Sequence, residues 1–127
     1  MKVAIIFKGG KQCVSGAPPD QKLMANVGKY LADLKRRGIA LDGFGLKPPS
    51  RKAPDPEQAI LDGPFAETKE VIGGIWVWQV NSVAQAWELL SQCPRPENLN
   101  PAEHGTVEIR EIYKPDDYGR GFVEAFM

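Results

Sequence analysis

One histidine, two cysteines and no excess of either charge are what this 127-residue chain has least of. His104 is the sole imidazole, and Cys13 and Cys93 lie far apart with no Cys-x-x-Cys spacing. That poverty excludes the usual zinc sets and a dithiol redox pair, so neither a metal nor a cofactor is expected. A thiol-reducing cytoplasmic setting is the default for such a chain. Sixteen Lys and Arg balance sixteen Asp and Glu. Without a basic surplus, neither nucleic acid nor an anionic membrane is an expected partner. The apolar opening from Met1 to Phe7 stops at Lys8-Gly9-Gly10. It is too short for a signal-peptide core or a bilayer span and reads as a strand; no other run is long enough to span.

What is present suits one soluble domain. Apolar residues at 43% and charged residues at 25% leave enough side-chain surface to bury a core and argue against disorder. Residues 3–7 are rich in β-branched side chains and barely alternate, as in a buried central strand. After a Gly- and Pro-marked loop, Leu23, Val27, Tyr30, Leu31 and Leu34 recur at spacings of three and four and predict a helix. Asp20 stands near its start, Lys35, Arg36 and Arg37 crowd its end, and Gly38 stops it. A second strand is expected from Ile39 to Leu46, with Gly43 and Gly45 signalling a bulge or a close backbone approach. Pro48, Pro49, Pro54 and Pro56 then make an irregular excursion. A short strand over Ala59-Ile60-Leu61 follows, and then the clearest strand, Ile75 to Val80.

Ser82 and Gln85 form a capping-box pattern before the apolar stripe Val83, Ala86, Trp87 and Leu90. A final strand spans Thr106 to Tyr113, with Val107, Ile109 and Ile112 facing in and Glu108 and Arg110 facing the other side. The order strand, helix, strand, hairpin-like insert, strand, helix, strand predicts an α+β, ferredoxin-like antiparallel sheet with two helices on one face. The other face then lacks a covering layer, and a second copy of the chain supplies one most simply, so a homodimer with facing sheets is expected.

The run Asp62-Gly63-Pro64-Phe65-Ala66-Glu67-Thr68-Lys69-Glu70, followed by Gly73-Gly74, resembles the signature of DGPF proteins in the YCII-related superfamily. Gly45-Leu46-Lys47-Pro48-Pro49 before it, and Gly105 with Val107-Glu108-Ile109-Arg110 after it, agree with the same resemblance. The likeness covers roughly residues 1–113, leaving 114–127 as a C-terminal extension. It implies a dimeric α+β barrel of ferredoxin-like protomers. It implies little about activity, since most such proteins have no assigned reaction, although many are encoded beside extracytoplasmic-function sigma factors. More distant relatives carry a His-Asp pair proposed as catalytic, with the histidine in the first helical region. Residues 20–37 contain no histidine, so that pair does not transfer.

Turn chemistry explains Asp62 to Phe65 without a ligand: Asp accepts backbone N–H groups, Gly allows positive φ, Pro fixes the chain and Phe anchors it. Glu67-Thr68-Lys69-Glu70 reads equally as a solvated, salt-bridged turn or as a site. Gly73-Gly74 would let the backbone approach a bound group. As a site, Asp62 or Glu67 is the candidate general base and His104 the candidate acid. Thr68, Lys69 and Arg110 are the candidate substrate-binding groups. Trp76, Trp78 and Trp87 suit core or interface packing better than a ligand pocket, with Trp87 facing the sheet from its helix. Gly9-Gly10-Lys11 lacks the flanking residues of a phosphate loop. Three readings follow: a small-molecule site beside the DGPF-AETKE motif, using cofactor-free acid–base chemistry if catalytic; an accessory protein whose partner is another protein such as a sigma factor; or a purely structural dimer module. For the second, the apolar cluster Phe122, Val123, Phe126 and Met127 is the candidate surface.

Overall fold

The computed structural model describes residues 1–10, 20–48, 71–96 and 105–127, together with the backbone of 51–52 and 61–62. Along the chain come β1 (Lys2–Lys8), α1 (Gln21–Arg36), β2 (Ala40–Gly45), β3 (Arg51–Lys52), β4 (Leu61–Asp62), β5 (Ile72–Gln79), α2 (Val83–Leu90) and β6 (Thr106–Glu111). A 3-10 turn (Pro115–Tyr118) and α3 (Arg120–Phe126) follow. The long strands form one sheet in the order β2-β5-β1-β6 with every neighbouring pair antiparallel. This is the ferredoxin-like α+β arrangement that the element order predicts. The short ladder of β3 and β4 stands apart as its own two-stranded sheet and supplies the hairpin insert.

Local chemistry sets the helix ends. The Asp20 carboxylate accepts the backbone N–H of Lys22 at 2.9 Å and of Leu23 at 3.4 Å, occupying two donors that the first turn of α1 leaves free. At the other end Gly38 takes φ 76°; its N–H reaches the Lys35 carbonyl, and that of Ile39 reaches the Leu34 carbonyl. That paired return of the last turn fixes where Ile39 enters the core against Leu34. Ser82 Oγ accepts the Gln85 N–H at 3.0 Å, while Gln85 Oε1 accepts the N–H of Asn81, one residue upstream of the usual capping-box partner.

The core lies between the sheet and α1 with α2. Val3, Ile5, Leu34, Trp78, Val80, Ala86 and Leu89 are buried in one cluster, and Phe7, Tyr30, Trp76, Val107 and Ile109 pack against it. Trp76 and Trp78 share that face, stacked 5.9 Å apart, with Phe7 edge-on to Trp76 at 4.5 Å and Tyr30 tilted 6.4 Å from Trp78. Two expectations change. Leu89 is buried where the sequence pointed to Trp87, which is 45% exposed. Ile112 has the strand parity of Glu108 and Arg110 and lies outside the core cluster.

Among the described residues, neither α1 nor α2 packs on the other sheet face. Across it the register aligns Phe44, Ile75, Ile6 and Glu108 in one row, and Asp42, Val77, Ala4 and Arg110 in the next. Ile6, Ile75, Val77 and Ala4 stay half-buried and Phe44 is exposed, so the centre of this face is apolar with charge at its edges. The register of β2 shifts between Ala40 and Asp42, ahead of Gly43 and Gly45, which stay in regular pairing with Trp76 and Gly74. No helix among the described residues is long and apolar enough to cross a membrane.

Candidate functional site

Three stretches of chain meet at one end of the sheet. Lys8, the last residue of β1, lies between Ile72 of β5 and Thr106 of β6. One step further, the Gly9 N–H donates to the Val71 carbonyl at 2.8 Å. Gly9 and Gly10 are both buried there. Gly105 adopts φ 81°, and a Cβ on it would sit 2.2 Å from the Lys8 carbonyl oxygen and 2.9 Å from the Gly9 carbonyl carbon. Only a residue without a side chain allows that approach. The chain therefore enters β5 and β6 on either side of the point where it leaves β1.

Of the residues that the sequence singles out, Glu67, Thr68, Lys69 and His104 lie outside the described residues, as does Cys13. The nearest described residues are Val71, two positions after Lys69, and Gly105, which is bonded to His104. Asp62 belongs to β4, where its backbone pairs in register with Arg51. Arg110 pairs with Ala4 and is exposed on the helix-free face, away from the aromatic core. Its guanidinium stands 4.0 Å from Glu108, whose carboxylate also meets Lys8 at 3.6 Å. These solvated pairs contribute less than about 1 kcal/mol each. Arg110 lies four residues along β6 from Thr106, about 14 Å from the loop end of the sheet at the usual strand rise.

Gly74 has a different partner from the bound group expected of it. A Cβ there would come 3.1 Å from the Phe44 carbonyl, so its bareness serves the approach of β2. Gly43 is bare for a similar reason, facing Trp76 Cδ1. Among the described residues no group of three or more His, Cys, Asp or Glu is placed to hold a metal ion.

Among the described residues the one strongly perturbed titratable group is Tyr30, which the sequence marked only as a core position. Its hydroxyl donates to the Leu89 carbonyl at 2.5 Å and ties α1 to the end of α2. Burial, reinforced by the nearby Cys93 thiol and opposed by Arg37, pushes its pKa up from 10.0 to about 12. Burial also raises the Cys93 thiol, with Arg95 opposing, so this half-buried cysteine stays protonated and unreactive at neutral pH. Above pH 10 the unfolded chain ionises Tyr30 while the folded chain keeps it neutral and hydrogen-bonded. The unfolded state then binds fewer protons, so the stability that Tyr30 contributes is complete below pH 10 and is lost as pH rises toward about 12. Urea midpoints of the wild-type chain are expected to fall more steeply over that window than those of Tyr30→Phe. Parallel slopes would show that Tyr30 ionises equally in both states.

Comparisons with known proteins fit this architecture. No curated protein matches the sequence. Among solved structures, 5-chloro-2-hydroxyhydroquinone dehydrochlorinase from Burkholderia phenoliruptrix, in complex with 2,5-dihydroxybenzoquinone, is similar in fold. The two share 14% identity and a TM-score of 0.52 over 94% of this chain and 100% of that one. A family model described as the YCII-related domain matches residues 1–115, and with its strand order and paired helices in agreement, the chain belongs to the YCII-related domain family.

Proposed function

We propose that this chain, as a DGPF-type member of its family, binds a small molecule at the loop end of the sheet beside the DGPF-AETKE motif. The observation that carries this reading is the convergence of Val71 and Gly105 on Lys8-Gly9. In sequence the motif runs into Val71 and His104 into Gly105, the two described residues that meet Lys8-Gly9. Phe7 and Trp76, next to the same end and only partly buried, offer an apolar wall for a ring-bearing ligand. The similar dehydrochlorinase, with its bound quinone, supports a small-molecule role for this fold.

Where the ligand is turned over, the chemistry is cofactor-free proton transfer. Glu67 or Asp62 removes a proton from the substrate, His104 returns one, and Thr68 and Lys69 hold the charge that develops between the two steps. Arg110 enters through a homodimer in which the helix-free faces meet, since there it borders the space between protomers. The apolar rows on that face support such a pairing.

The test is a thermal-shift screen of ring-bearing and anionic small molecules, 2,5-dihydroxybenzoquinone included, on the wild-type chain, Glu67→Gln and Asp62→Asn. A stabilising ligand is expected for the wild type, with its apparent affinity reduced about 10-fold or more in at least one variant. If both variants fold and bind every hit as the wild type does, the motif is not the site. A second reading, a non-enzymatic accessory protein that acts through a partner such as an extracytoplasmic-function sigma factor, is favoured by the exposed aromatic residues after β6. A partner retained by the full chain and lost without residues 114–127 would favour it over the first.

A further inference from the structure

After Ile112, whose N–H still binds the Lys2 carbonyl, the chain leaves β6 and turns its aromatic side chains on one another. Tyr113, Tyr118, Phe122 and Phe126 form a continuous row with centroid steps of 5.2, 5.0 and 5.2 Å. None belongs to the core cluster, and they remain 69%, 58%, 39% and 73% exposed. Phe44 and Trp87 are exposed too, but among the described residues neither meets another ring. Tyr118, Phe122 and Phe126 also lie outside residues 1–115, the span of the family domain. Charge alternates along the same segment: Lys114, then Asp116 and Asp117, then Arg120, then Glu124, all of them exposed. Arg120 and Glu124 pair at 2.8 Å with side chains still 91% and 65% exposed, so each keeps an open side.

We infer that the segment from Tyr113 to Met127 pairs with the same segment of a second copy, row against row and antiparallel about a two-fold axis. The charge order selects this occupant. A half-turn about the middle of the row sets Lys114 against the partner's Glu124, and Asp116 with Asp117 against the partner's Arg120. Opposite signs therefore meet at every step, whereas a parallel pairing would set like against like. The rings match under the same operation. Tyr113 faces the partner's Phe126 and Tyr118 the partner's Phe122, aromatic against aromatic along the whole row. At about 200 Å² per aromatic side chain, the exposed fraction of the four rings is roughly 500 Å² per copy. Covering both rows hides roughly 1,000 Å², the lower end for a specific contact. The association is thus weak and reversible. It involves neither the small-molecule site nor the helix-free sheet face.

The test is sedimentation equilibrium on the full chain and on two double variants, with circular dichroism to confirm that each is folded. Phe122→Ser/Phe126→Ser removes two rings at exposed positions outside the core. Arg120→Glu/Glu124→Arg keeps the net charge and the pair within α3 but reverses the sign that each position offers a partner. At about 100 μM the wild type is expected to reach at least twice the mass of the serine variant. The charge swap is expected to weaken that association about 10-fold, and raising the salt to lessen the difference. A wild type no heavier than the serine variant overturns the pairing. Binding of a sigma factor through this segment, in place of self-association, assigns the row to that partner. A charge-swapped chain that associates as tightly as the wild type overturns the antiparallel register, and the inference with it.

Discussion

Trp78→Ala is expected to cost about 3–5 kcal/mol, the range for deleting a large buried aromatic side chain. Trp78 is fully buried near the C-terminal end of β5, cross-strand from Val3 of β1 and Ala40 of β2. It touches the aromatic cluster on both sides, through Trp76 at 5.9 Å and Tyr30 at 6.4 Å. Removing it empties the contact between the sheet and α1, which the fixed strand register cannot close. A domain with a total stability of about 5–15 kcal/mol would lose a large share of it, seen as a fall in melting temperature of roughly 10–20 °C. Trp78→Phe separates packing from polarity. The indole N–H is buried and has no hydrogen-bond partner among the described residues. A buried unpaired donor costs about 1–3 kcal/mol. Phenylalanine removes that burden while leaving a smaller void, so its loss is expected to stay below about 2 kcal/mol. If Trp78→Phe proves as damaging as Trp78→Ala in urea unfolding, the indole N–H has an acceptor and its hydrogen bond belongs to the core.

Gly105→Ala is expected to destabilise by at least about 3 kcal/mol, although it adds a single methyl group. The left-handed backbone at φ 81° accounts for about 1–2 kcal/mol of this for a residue with a Cβ. The rest comes from the Lys8 carbonyl, 2.2 Å from the new atom. A Cβ has no rotamer with which to escape, so the β1–β6 pairing at Lys8 and Thr106 must open. Gly28→Ala is the matched control. It lies inside α1 with nothing within 4 Å of the added carbon. That substitution is expected to stabilise by about 0.5–1 kcal/mol, through helix propensity and a less flexible unfolded chain. Urea melts of the two variants should move in opposite directions. A Gly105→Ala chain as stable as the wild type would mean that Gly105 does not approach Lys8-Gly9, and the argument for the loop end as the site would go with it.

The fold was largely legible because its signals are local and periodic. The capping groups Asp20 and Ser82, the stop at Gly38 and the three- and four-residue spacing of Val27, Tyr30, Leu31 and Leu34 act within one or two turns of chain. Alternation separated Val107 and Ile109 from Glu108 and Arg110 in the same local way. The errors arose where local pattern was degenerate. In α2, Trp87 and Leu89 flank the stripe Val83, Ala86 and Leu90 on opposite sides, and hydropathy favours either. Packing against the sheet chose the smaller flank. Gly74 looked like room for a ligand, and the neighbouring strand uses that room.

By itself, the sequence determined the YCII-related family, the element order and the side of each strand that faces the helices. Those properties depend on residues a few positions apart, where side-chain period and turn chemistry act directly. The tertiary structure alone decided that Val71 and Gly105 meet at Lys8-Gly9, and that the rings after β6 pack on one another. The first depends on strand order and register between segments some 60 and 100 residues apart. The last depends on how a short helix folds back beside its own turn. No local preference encodes a cross-sheet register; it emerges when the buried faces of all four strands must be satisfied together.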